Sequence, residues 1–70
     1  MEDKFQISLR AARVNAGYTV EEVAKILHRG QQTVRNWETG KTAIPGIELQ
    51  QLCELYGCPA KYIFLQRELS

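Results

Sequence analysis

Val20-Glu-Glu-Val-Ala-Lys-Ile-Leu-His-Arg-Gly-Gln-Gln-Thr-Val-Arg-Asn-Trp-Glu-Thr-Gly40 is the stretch that decides this fold. Thr19-Val20-Glu21-Glu22 forms a capping box, in which Thr19 accepts from the Glu22 backbone and the Glu22 carboxylate reaches back. Tyr18 stands one residue outside, placed to pack on Val23. A helix then runs from Val20 to about Leu27, with Val23, Ala24 and Leu27 inward. His28-Arg29-Gly30 breaks the apolar pattern. A second helix follows from Gln31 to about Thr39, with Val34 and Trp37 inward and Gly40 as its stop. Two short helices joined by a three-to-four-residue turn are a helix-turn-helix.

Working outward, residues 3–16 hold no Pro or Gly and are rich in helix formers. Phe5, Leu9, Ala12 and Ala16 recur at helical spacing, with Asp3 as N-cap and Gly17 as stop, which predicts a first helix from Asp3. Beyond Gly40, Pro45-Gly46 marks a turn. A fourth helix, Ile47 to Tyr56, has Leu49, Leu52, Cys53 and Tyr56 on one face and Gly57 at its end. Pro59 opens a fifth, about Ala60 to Glu68, anchored by Ile63. No strand pattern competes. The expected fold is all-α: one domain, residues 1–70, a compact five-helix bundle with the helix-turn-helix at about 20–39.

Composition narrows the function. Hydrophobic residues make up 44% and charged residues 24%, an ordinary globular balance. No run approaches a membrane span and the N-terminus has no apolar signal region, so a cytoplasmic protein is expected. Cys53 and Cys58 with His28 fall short of a four-ligand zinc site. They read as reduced thiols, Cys53 in the core and Cys58 in a turn. No nucleophile–base pair, metal cluster or phosphate-cradling glycine loop is present, so no catalytic residue, metal, cofactor or small-molecule ligand is expected. Net charge is only +1. Its distribution says more: Arg29, Arg35 and Lys41 face a single acid, Glu38, between His28 and Lys41.

The ordered set of Arg13, Thr19, Glu22, Val23, Ala24, Leu27, Thr33, Val34, Trp37, Glu38 and Gly40 resembles the phage repressor and Cro family, the lambda-repressor-like or XRE helix-turn-helix DNA-binding domains. Leu49, Leu52, Tyr56-Gly57 and Ile63 fit the same frame, so the likeness covers about Leu9 to Leu65. It implies a transcriptional regulator of phage or prophage type that binds a double-stranded operator as a homodimer. It also implies that Arg13 pairs with Glu38, locking the first helix to the third.

The residues supply their own chemistry. A helix entering the major groove by its N-terminus reads bases there, and glutamine can bond bidentately to adenine N6 and N7. Gln31, Gln32 and Thr33 in the first turn, then Arg35 and Asn36, are the expected base contacts. Thr19, Arg29, Lys41 and Thr42 are the expected phosphate contacts, Thr19 with the free N–H groups at its helix start. Trp37 reads as core. The chain departs from the family at Val20, where a phosphate-binding glutamine is usual, and in the turn, where His28 needs a left-handed backbone. The competing expectation is a protein-interaction module, such as an antitoxin or a regulator's partner, on the same scaffold.

Overall fold

The computed structural model describes residues 6–65. Its order is β1 (Ile7–Ser8), α1 (Leu9–Ala16), α2 (Val20–Leu27), α3 (Gln31–Thr39), α4 (Gly46–Tyr56), a 3₁₀ turn (Ala60–Tyr62) and β2 (Ile63–Phe64). Four α-helices are present among the described residues where five were expected. The all-α class and the helix-turn-helix stand.

The two ends of the described chain differ most from the sequence reading. The first helix begins at Leu9 rather than at Asp3. Ile7 and Ser8 instead pair in parallel with Ile63 and Phe64. Ser8 then caps α1, its Oγ accepting the Ala11 N–H at 3.0 Å. Asp3 and Phe5, read as cap and inward residue, lie outside the described residues. Ala16, read as inward, is exposed. The position is filled differently: Arg13 is buried beside Leu9 and Ala12. The expected fifth helix is a single 3₁₀ turn that gives way to β2. Ile63 is the buried anchor, but in a strand, while Phe64 and Leu65 are exposed. A parallel pair needs partners far apart in sequence, here Ile7 with Ile63, and no local period announces that.

The centre follows its sequence closely. Thr19 caps α2 through the full box: its Oγ1 accepts the Glu22 N–H at 3.1 Å and the Glu22 carboxylate accepts the Thr19 N–H at 2.9 Å. His28 ends α2 in the left-handed region at φ 56°, the sole non-glycine there among the described residues. Gly40 ends α3 at φ 84°. Leu9, Ala12, Val23, Ala24, Val34, Trp37, Leu52 and Ile63 form one core. Ala24 is small, so α3 can lie close to α2. The core therefore fixes α3 from behind, through Val34 and Trp37, and leaves its other face outward.

Candidate nucleic-acid interface

The outward face of α3 carries Gln31, Gln32 and Arg35 exposed and Asn36 half-buried, with Thr33 half-buried at the edge. Helical spacing explains this sorting. Val34, Trp37 and Glu38 sit three and four residues apart on the buried side, so the residues between them face away. Gly30 is the N-cap and supplies no side-chain bond, so the first turn of α3 presents its backbone N–H groups uncapped by any side chain.

These polar side chains are linked along the helix. Gln32 Nε2 donates to Asn36 Oδ1 at 2.9 Å, and Arg35 Nη2 donates to Gln31 Oε1 at 3.4 Å. Both links join residues i and i+4, which are neighbours on a helix surface. At the far end the Thr42 N–H donates to Asn36 O at 3.3 Å. That bond folds exposed Lys41 and Thr42 back beside the end of α3.

Behind this face sits the ion pair of Arg13 and Glu38, the two residues that the family likeness put together. Arg13 Nε donates to Glu38 Oε2 at 2.7 Å and Nη2 to Oε1 at 3.3 Å, while Nη1 donates to the Tyr18 carbonyl at 2.9 Å. Both residues are 8% exposed. Two buried charges are tolerable because the fork-to-carboxylate geometry meets both oxygens and a carbonyl takes the remaining nitrogen. Tyr56 lies in the same region. Its hydroxyl is buried with no hydrogen-bond partner among the described residues. Burial, and then the Glu38 charge, hold the phenol well above its ordinary value.

Two of the expected phosphate contacts are placed otherwise than an open cation or free helix end would be. Arg29 turns back onto the protein: its Nε donates to Glu48 Oε2 at 3.0 Å, and its Nη2 pairs with the same oxygen. Glu48 was not foreseen. It is 7% exposed in the first turn of α4, four residues before buried Leu52. A lone carboxylate sharing a face with Leu49 and Leu52 was the available signal, since a buried acid requires a partner. At Thr19 the backbone N–H is already taken by Glu22, and Glu21 adds a second acid to that turn. The positive end of α2 is thus met by its own carboxylates. Val20 is half-buried and packed on the core.

A further cation comes into view beside Val20. A cleft between α1, α2 and α3 is lined by Ser8, Arg10, Val20, Arg35 and Thr39, with the Arg13–Glu38 pair at its floor. Arg10 is exposed there. Nothing in its own segment distinguished it, because the packing of the neighbouring helices is what brings it to this cleft.

Among the described residues no helix is long and apolar enough to cross a membrane. No curated protein and no solved structure matches the chain significantly. A family model described as "Helix-turn-helix" does match, over residues 9–63, a span that runs from the first residue of α1 to the first of β2. With a helix-turn-helix in place and most of the chain covered, the protein belongs to the XRE, lambda-repressor-like helix-turn-helix family, whose domains bind DNA and serve in transcription regulation.

Proposed function

We propose that this protein is a Cro- or repressor-like regulator that reads a specific double-stranded DNA operator with α3 in the major groove. The observation that carries this reading is the outward stripe of Gln31, Gln32, Arg35 and Asn36, organised by hydrogen bonds along the helix. The linkage sets what the stripe offers to bases. In the Gln32–Asn36 pair one amide N–H₂ and one carbonyl face each other, which leaves one donor group and one acceptor outward. That set matches adenine, which offers N7 as acceptor and N6 as donor. Arginine can only donate, so Gln31 turns its carbonyl to Arg35 and its N–H₂ outward. Gln31 and Arg35 together form an all-donor edge, which suits the two acceptors of guanine. Thr33 at the edge supplies a methyl for thymine.

Phosphates are assigned to Lys41 and Thr42 beyond α3, and to Arg10 across the cleft from Arg35, which stands in for the glutamine that Val20 replaces. Thr19 keeps its hydroxyl proton for a phosphate oxygen. Arg29 adds little charge, being balanced by Glu48. Binding as a dimer to a roughly palindromic operator, with half-sites about 34–36 Å apart, compensates for modest net charge by doubling the contacts.

The test is selection of bound DNA from a random pool, followed by Gln31→Ala and Gln32→Ala. Each bidentate contact carries about 1–3 kcal/mol of discrimination. Each variant is expected to lose about 5- to 150-fold in affinity for the selected site, while the weaker, salt-dependent binding to random DNA persists. Equal losses on both DNAs would overturn base reading by these residues. The second reading, a protein-interaction module, is favoured by the acids at the start of α2 and by the exposed Ile47 and Phe64. A gel-shift titration at low salt separates them: such a module would leave DNA unmoved.

A further inference from the structure

Cys53 and Cys58 are brought together where α4 ends. Gly57 turns left-handed there at φ 68°. The backbone N–H groups of Gly57 and Cys58 then both converge on the Cys53 carbonyl, the Cys58 bond at 3.0 Å. This is the helix-ending turn in which the residue two beyond the last helical one folds back over the residue three before the end of the helix. Such a turn commonly brings those two side chains to the same side of the helix end, and here both are cysteine. Each is partly exposed and unbridged. Both open into one shallow groove with Leu49, Pro59 and Ala60.

We propose that Cys53 and Cys58 are a paired dithiol that a hydroperoxide closes, reversibly, into a disulfide stapling the end of α4. Burial, aided by the nearby Cys58 and Glu54, holds the Cys53 thiol above its ordinary range, so the first attack falls to Cys58, since the thiolate is the reactive form. Its sulfur attacks a peroxide oxygen. An S–O bond forms, the O–O bond breaks, and with hydrogen peroxide one water leaves, giving a sulfenic acid on Cys58. The Cys53 sulfur then attacks the Cys58 sulfur. The S–S bond forms, the S–O bond breaks, and hydroxide departs with the Cys53 proton as a second water. Two thiols are oxidised by two electrons and one peroxide is reduced. A dithiol reductant reverses the change by exchange.

Neither cysteine belongs to the reading face, so the inference is independent of DNA binding. The staple would fix the turn that hands the chain from α4 to β2, the strand that pairs with β1 just before α1. Treating the full chain with graded hydrogen peroxide tests it by intact mass, peptide mapping and thermal unfolding. Expected is a monomer lighter by two hydrogens, a Cys53–Cys58 linked peptide, and a Tm raised by at least about 4 °C over the reduced protein. The reductant should restore the starting mass and Tm. Cys58→Ser should abolish the link and the Tm response. Sulfinic acid on separate cysteines, cross-linked chains, unreacted thiols, or an oxidised form that melts no higher would each overturn the proposal.

Discussion

At the residue scale, two buried polar groups close together have opposite fates. Glu38 answers both Nε and Nη2 of Arg13, so removing its charge strands a guanidinium in the interior. Glu38→Gln is expected to cost about 3–5 kcal/mol. Against the roughly 4–10 kcal/mol that a chain of this size holds in total, that is a large share. Urea denaturation should show a much lower midpoint or no folded baseline, and an unchanged midpoint would sink the locking role. Tyr56 is the converse case. Its hydroxyl has been taken from water without a partner in return among the described residues, so Tyr56→Phe is expected to leave stability equal or higher. The pH dependence has a definite sign. The folded state keeps the phenol proton at pH values where the unfolded chain, with its tyrosine near the usual value of about 10, has released it. Stability therefore falls as pH rises above about 10. Phenylalanine removes that contribution, and the alkaline loss measured by thermal unfolding should become shallower.

At the scale of elements, the turn of the helix-turn-helix is where local preference and fold disagree. His28 ends α2 with φ at 56°, a conformation that costs a residue with a Cβ about 1–2 kcal/mol, while glycine gives back part of that through its own backbone freedom. His28→Gly is expected to raise stability by a net of about 1 kcal/mol or less, visible as a small upward shift in Tm. A fall would show that the imidazole makes a contribution larger than the strain. The box at Thr19 illustrates the opposite case, where sequence and structure coincide because both partners lie within three residues. The Arg29–Glu48 pair spans nineteen positions and could not be read from either segment alone, although the misfit of Glu48 on an apolar face pointed to a missing partner.

At the scale of the whole molecule, the proposed dimer needs a surface on which two copies could meet. Phe64 in β2 and Ile47 at the start of α4 are 52% and 71% exposed, more apolar surface than the core uses. We expect the dimer contact to include Phe64. Phe64→Glu should leave the thermal unfolding of the domain close to wild type, since the side chain already faces solvent. It should also abolish the preference for a two-half-site operator over a single half-site. Retained cooperative binding would place the contact elsewhere.

The sequence by itself determined the centre of this protein: α2, the turn, α3, their caps and their inward residues. Those features depend on helical period, capping pairs and glycine, all of which act over a few positions. The stripe of Gln31, Gln32, Arg35 and Asn36 was legible for the same reason. Only the tertiary structure decided the ends and the charges. Residue 7 becomes a strand because residue 63 lies beside it, and a two-residue parallel pair has no local signature. Arg29 is committed to Glu48, and Arg10 joins the cleft beside Val20. Each of these depends on where a side chain arrives once the core is packed, because charge pairing is set by distance in space.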